Sequence, residues 1–153
     1  TLDSKEKMFV HELKDIYSAE KQLIEALPKV IKAVNKPEAK QALENHLEET
    51  KTQAQRIEKI MADMEYEPTG VKCVGMEGLI EEGKGMLEHD EIPADLLTDA
   101  LITGSQKIEK YEITGYESAV KAARELGHND AASLLQQSLD EEKAALNKLE
   151  SFS

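Results

Sequence analysis

The chain repeats itself without a gap at an offset of 92 residues, which is the strongest constraint on its fold. Glu20 and Glu49 in the first half fall on Glu112 and Glu141 in the second. The same offset places apolar residues on apolar residues: Ile16 on Ile108, Leu43 on Leu135 and Leu47 on Leu139. A duplicated pair of helices that turns carboxylates toward a shared interior can assemble a dinuclear metal site in a four-helix bundle.

Length and charge limit the classes of function. We predict one domain over residues 1–153, which would bury roughly two-thirds of its unfolded surface. The formal net charge is −12, from 19 basic and 31 acidic residues. This field repels phosphate, so neither nucleic acid nor an anionic membrane is an expected partner. Cations are the expected ligands.

Cys73 is the single cysteine of the sequence. It excludes an intramolecular disulfide and a thiolate cluster, and it suits a reducing compartment. No apolar run approaches the roughly 18 residues of a membrane span, and the first residues do not resemble a signal peptide. We therefore expect a soluble, cytoplasmic protein.

Prolines, glycines and capping residues divide the chain into helices. We predict helices at about 3–35, 37–65, 74–88, 93–126 and 129–152. Asp3 and Glu6 have the form of a capping box, Pro37 suits the first turn of the second helix, and Asn129 or Asp130 is expected to cap the last. The short third helix lies in a long crossover between two hairpins. The predicted fold is therefore all-α, a ferritin-like four-helix bundle of two duplicated hairpins with a short extra helix in the crossover.

The helical phase decides which carboxylates face the core. At 100° per residue, Glu20 falls in the middle of the apolar stripe of the first long helix. Glu112 does the same in the third long helix, with Glu109 one turn before it. In the fourth, Glu142 is central, whereas Glu141 lies on the flank.

The second long helix contributes differently. It has Thr50 at the position equivalent to Glu142, with His46 inside the apolar stripe and Glu49 beside it. Unpaired buried carboxylates would cost several kcal/mol each. Two cations would compensate them, and this ligand set suits iron or manganese, with zinc possible. The candidate metal ligands are Glu20, His46, Glu49, Glu109, Glu112 and Glu142.

The sequence also offers hydrogen-bond partners for the candidate ligands, and an alternative in which no metal is bound. Tyr17, Tyr111 and Tyr116 are candidates to orient the ligands through hydrogen bonds. Alternatively, the glutamates pair with lysine or water and His46 is an ordinary core residue.

Five separated motifs resemble the YciF-like ferritin-like proteins, a bacterial family associated with stress responses. They are LKDIYSAEKQL (13–23), HLEET (46–50), CVGMEGLI (73–80), EKYE (109–112) and LDEEK (139–143). The resemblance covers nearly the whole chain. It implies a rubrerythrin-type helical bundle, a homodimer and a di-metal centre.

One departure from ferritins and rubrerythrins bears on function. Those centres usually carry Glu-x-x-His on the second helix and often on the fourth. Here Thr52 stands three residues after Glu49 and Ala145 three residues after Glu142, while His46 precedes its glutamate. We therefore expect a weaker or asymmetric site.

Two functional classes follow. The first is a di-metal oxidoreductase that handles redox chemistry or peroxide. The second is a non-catalytic, dimeric stress or structural protein with a degenerate metal site. In either class we expect a homodimer, with the interface formed by the apolar, glycine-spaced segment 74–87 or by the adjoining helix faces.

Overall fold

The structure is a computed structural model that describes residues 1–152. It contains helices and no strand in this range, which confirms the all-helical prediction. None of these helices is long and apolar enough to cross a membrane. The helices are α1 (Lys5–Ala33), α2 (Pro37–Asp63), α3 (Val74–Leu87), α4 (Ala94–Glu125) and α5 (Asn129–Glu150).

The four long helices form two hairpins that pack side by side. The most extensive contacts join α1 to α2 and α4 to α5, and smaller interfaces join α1 to α4 and α2 to α5. Helix α3 lies on α1 and α4. Asn35, just after α1, accepts a 2.7 Å hydrogen bond from Thr98 near the start of α4. The long crossover therefore places α1 antiparallel to α4, as in ferritin-like bundles.

The predicted cap of α1 is wrong by one residue. Ser4 has the extended backbone of an N-cap, and its hydroxyl accepts a 3.1 Å hydrogen bond from the Lys7 amide. Asp3 lies too early for this role and instead accepts a 2.9 Å bond from the Lys7 ammonium group. A hydroxyl at the boundary thus satisfies one of the free amides of the first turn.

The turn between α4 and α5 also differs from the prediction. Gly127 adopts a positive φ of 76°, and the His128 amide donates a 2.9 Å hydrogen bond back to the Ala123 carbonyl. This Schellman geometry ends α4 and leaves no spacer before the next helix. His128 is therefore the boundary residue of α5, without a side-chain cap, and Asn129 is already helical.

The core has two apolar clusters with polar residues between them. One cluster includes Leu13, Ile57 and Leu135, and the other includes Leu27 and Leu43. Buried polar side chains from all four long helices lie at intermediate positions along the bundle. Because a buried polar group without a hydrogen bond or an ion is costly, each of these side chains needs a partner inside the bundle.

Candidate metal centre

A polar layer crosses the middle of the bundle. None of its members is more than 4% exposed: Glu20, His46, Thr50, Gln53, Glu109, Glu112, Ser138 and Glu142. The apolar stripes of the four helices carry these residues into the core, since each stands in phase with its leucine and isoleucine neighbours. The layer is the largest departure from an apolar interior.

Four members of this layer converge on one point. His46 from α2, Glu109 and Glu112 from α4 and Glu142 from α5 each offer one ligand atom, and these atoms lie within 4.8 Å of one another. A group of three carboxylates and one imidazole at this spacing could hold a metal ion. We call these four residues the ligand group.

His46 forms the one close opposite-charge contact inside the group. Its Nε2 atom lies 2.6 Å from Glu109 Oε1, without hydrogen-bond alignment. Burial lowers the pKa of the imidazole, but the Glu109 carboxylate outweighs this and raises the pKa of His46 to about 10. Without a metal, His46 is therefore a cation that offsets one carboxylate. A metal ion on this imidazole would replace its proton.

Glu20 adjoins the ligand group from α1. Burial is the main reason that the pKa of Glu20 rises to about 8. Its carboxyl lies close enough to that of Glu112 to hydrogen-bond when one of the two is protonated. Tyr116 donates a 3.1 Å hydrogen bond to Glu20 Oε2. Tyr116 thus holds Glu20 in place, as predicted from the sequence.

Glu112 and Glu142, which also face the centre, have raised pKa values. Burial, and then the charge of Glu20, raises the pKa of Glu112 well above its ordinary value. Burial and then Glu112 do the same for Glu142. Burial, together with the neighbouring carboxylates, thus disfavours full ionisation of the metal-free layer. A multivalent cation would relieve this repulsion.

The buried side-chain atoms that lack a hydrogen-bond partner also lie in the polar layer. Within residues 1–152, nine buried side-chain nitrogen and oxygen atoms have no hydrogen-bond partner. All nine belong to the polar layer, on Glu20, His46, Gln53, Glu109, Glu112 and Glu142. Unpartnered buried polar atoms are rare in native proteins, and oxygen and imidazole donors suit iron, manganese or zinc. The residues therefore fit a bound transition metal.

Two flanking acids occupy the edge of the centre. Glu49 is half-buried, and its Oε1 atom is 3.9 Å from His46 Nδ1, outside the ligand group. Glu141 faces Arg56, which donates two hydrogen bonds of 2.7 and 2.9 Å to its carboxylate. Of the two neighbouring acids on α5, Glu142 is thus the one that faces the centre. The guanidinium lowers the pKa of Glu141 despite partial burial.

Gln53 and Arg56 were not predicted as members of the site. The Gln53 amide donates a 3.1 Å hydrogen bond to Glu141 Oε1, and its own oxygen stays buried without a partner. Arg56 also donates a 3.0 Å bond to Ser138. The flank position of Glu141 was the available signal, because an acid at a helix seam favours a basic residue across it.

Two of the three predicted tyrosine contacts are wrong. Tyr17 donates a 2.7 Å hydrogen bond to Glu58, away from the ligand group. The Tyr111 hydroxyl lies 3.3 Å from the Cys73 thiol at the start of α3. Tyr17 is a buried member of the apolar core, whereas the Tyr111 side chain is exposed. Helical phase places each ring on a face of its helix but does not select the polar group that its hydroxyl reaches.

Comparison with known proteins gives consistent matches over nearly the whole chain. The family described as Domain of unknown function (DUF892) matches residues 4–153. Protein YciF of Escherichia coli strain K12 is 43% identical over 145 residues, which cover 94% of this chain and 87% of the relative.

Two solved structures are similar to this fold. YcfI from Rhodopseudomonas palustris, described provisionally as a structural protein, has a TM-score of 0.93 and 36% identity. The match covers 98% of this chain and 95% of that one. The structure of the E. coli stress protein YciF has a TM-score of 0.91 and 41% identity, covering 98% of this chain and 94% of its own.

Proposed function

This chain belongs to the DUF892 family, and we propose that it is a stress-associated ferritin-like protein whose polar layer binds two iron or manganese ions for redox or peroxide chemistry. One observation carries the proposal: four buried ligand atoms from His46, Glu109, Glu112 and Glu142 lie within 4.8 Å of one another. The description of a relative as a stress protein supports the biological setting.

The residues of the layer have separate roles in this proposal. The ligand group holds the first ion. Glu20, next to Glu112, is a ligand for a second, weaker ion, and Glu49, next to His46, is a further ligand on the opposite side. Iron or manganese would supply one-electron redox chemistry, which zinc would not. Ligands must give up their protons on binding, and the pKa values of His46, Glu112 and Glu142 are raised, so affinity rises with pH. Tyr116 keeps Glu20 oriented, and the apolar clusters exclude water.

Anaerobic titration with Fe(II) or Mn(II) tests the proposal. The protein should bind close to two ions per chain and gain thermal stability, because a ligand of the folded state adds RT ln(1 + [L]/Kd) to the free energy of unfolding. A Glu20→Ala/Glu112→Ala double variant provides the control. Equal metal uptake by the unmodified protein and the double variant would contradict the proposed metal binding.

The second candidate is a non-catalytic structural protein. The His46–Glu109 contact favours it, since an imidazolium already offsets one buried carboxylate without any metal. The description of a relative as structural points the same way. Hydrogen peroxide consumption by metal-loaded protein separates the two candidates. A metal-loaded protein that leaves peroxide unchanged would favour the structural role.

We further propose a cytoplasmic homodimer. The buried free thiol of Cys73 supports a reducing compartment. Val74 at the start of α3 is 71% exposed, whereas Ile80 packs partly against the core of its own bundle. Light scattering should give twice the 17.0 kDa chain mass, with Ile80→Asp shifting it toward monomer. Val74→Asp tests the interface without disturbing the core, and a monomeric unmodified protein would refute the dimer.

A further inference from the structure

The seams between the two hairpins are looser than the seams within them. Helices α1 and α4 contact each other less than either contacts its hairpin partner, and the same holds for α2 and α5. Each seam between hairpins contains an open groove. The α1/α4 groove has a volume of about 430 Å³ and reaches Glu112, and the α2/α5 groove has about 460 Å³ and reaches His46.

The α1/α4 groove is acidic. Glu12 and Asp15 line its mouth from α1, and no lysine or arginine is among the lining residues that the structure describes. Ser118 on α4 donates a 2.7 Å hydrogen bond to Glu12 Oε2 and fixes this carboxylate across the seam. A groove of one sign of charge concentrates ions of the opposite sign.

At its inner end the same groove reaches Glu112, a member of the ligand group that lacks hydrogen-bond partners. Glu112 is only 4% exposed, and both of its carboxylate oxygens are buried without a hydrogen-bond partner. Gly115 leaves the wall open beside it, because a Cβ at this position would meet only the Ile16 side chain, at 3.8 Å. The acids of the mouth and the buried acid of the centre therefore share one path.

The α2/α5 groove is less suited to cations. Lys148 lines it, together with Glu38 and Glu49. Its inner end reaches the imidazole of His46, whose Nε2 atom lies 2.6 Å from Glu109 Oε1. An incoming metal ion would meet the positive charge of the Lys148 side chain on this path.

We propose that divalent metal ions reach the centre through the α1/α4 groove, where Glu12 and Asp15 capture the ion and Glu112 receives it. This inference rests on the proposed metal-binding function. It assigns a transient binding site for a divalent transition-metal cation to residues outside the ligand group. The last step requires the Glu112 carboxylate to turn toward the groove, for which the open wall at Gly115 leaves room.

The rate of Mn(II) uptake tests the charge of the groove. Rapid mixing followed by the loss of the free-ion paramagnetic resonance signal should show Glu12→Gln/Asp15→Asn filling about tenfold more slowly at low ionic strength, with the difference shrinking at high salt. The number of ions bound at equilibrium should not change. A Glu38→Gln/Glu44→Gln variant removes the same charge from α2 and should fill at the unmodified rate.

A pair of steric variants tests the path itself. Gly115→Leu adds bulk to the α1/α4 groove and should slow uptake, whereas Ala144→Leu adds bulk to the α2/α5 groove and should not. If Ala144→Leu alone slows uptake, or if Glu12→Gln/Asp15→Asn fills at the unmodified rate at low salt, the path is wrong while the centre stands. If the unmodified protein binds no Mn(II) at equilibrium, the proposed function fails and this inference fails with it.

Discussion

The two hairpins share one backbone plan but differ in the chemistry they place in the core. The second hairpin, α4 and α5, supplies the three acids of the ligand group. At the equivalent positions, 92 residues earlier, the first hairpin has Tyr17, Glu20 and Thr50. Duplication thus accounts for the shared backbone plan, whereas the differences at these three positions concentrate the candidate ligands on one hairpin.

The same offset relates the two ends of the α2/α5 seam. Arg56 on α2 corresponds to Lys148 on α5, and Glu49 on α2 corresponds to Glu141 on α5. The Arg56–Glu141 pair closes its end with two hydrogen bonds, whereas no ion pair joins Lys148 to Glu49 in the part of the chain described here. Lys148 instead lies over the Phe152 ring, 5.5 Å from its centre. The second end stays open as a groove.

The largest loss of stability in the metal-free protein should come from a substitution that makes the first hairpin resemble the second. Thr50→Glu adds another buried carboxylate, so metal-free protein should lose about 3–5 kcal/mol of unfolding free energy, the cost of an uncompensated buried charge. Chemical denaturation in the presence of a chelator measures this. Thr50→Val is the matched control, since it removes only the 2.7 Å hydrogen bond to the His46 carbonyl. Metal should restore much of the loss in Thr50→Glu, and an unchanged metal-free stability would mean that position 50 is not inside the layer.

Equivalent acids should contribute unequally to metal affinity. Glu112→Gln removes a member of the ligand group and should weaken Mn(II) binding by more than about 100-fold, beyond the range usual for outer residues. Glu20→Gln should weaken it by roughly tenfold, because Glu20 lies beside the group. Calorimetric titration of both variants gives the comparison. Equal losses would show that the two hairpins contribute alike.

Metal-free stability should fall as the pH rises. Glu20 has a pKa near 8 in the folded protein against an ordinary value of 4.5, so the folded state binds its proton more tightly. Its contribution is complete below pH 4.5 and is lost as the pH passes through about 8. The loss approaches about 1 kcal/mol for each pH unit in between. Denaturation midpoints between pH 5 and 8 measure the slope, and Glu20→Gln should flatten it; a slope that this change leaves unaltered would contradict the assignment.

The smallest loss of stability should come from substitutions at the end of the α2/α5 seam that the Arg56–Glu141 pair closes. Arg56→Met should cost about 1 kcal/mol, because the Arg56–Glu141 pair is only partly exposed and doubly hydrogen-bonded. Lys148→Met, the equivalent change in the other hairpin, should be close to neutral. Thermal unfolding of the two variants measures the difference. Equal costs would remove the distinction between the two ends of the seam.

The sequence predicted the features that depend on helical phase. The fold followed from the repeat and the apolar stripes, and the orientation of Glu20, Glu112 and Glu142 followed from their places in those stripes. Contacts between side chains of neighbouring helices did not follow, because helical phase does not select the polar group that a side chain reaches. Tyr17 turned to Glu58, and a single sequence does not specify such a choice.

The polar layer is proposed to bind metal, chiefly through the second hairpin. Anomalous X-ray diffraction from crystals grown with Mn(II) tests this proposal, since it locates each ion. The strongest peak is expected among His46, Glu109, Glu112 and Glu142, with a weaker peak beside Glu20. Manganese found only at surface carboxylates, with no peak inside the layer, would contradict it.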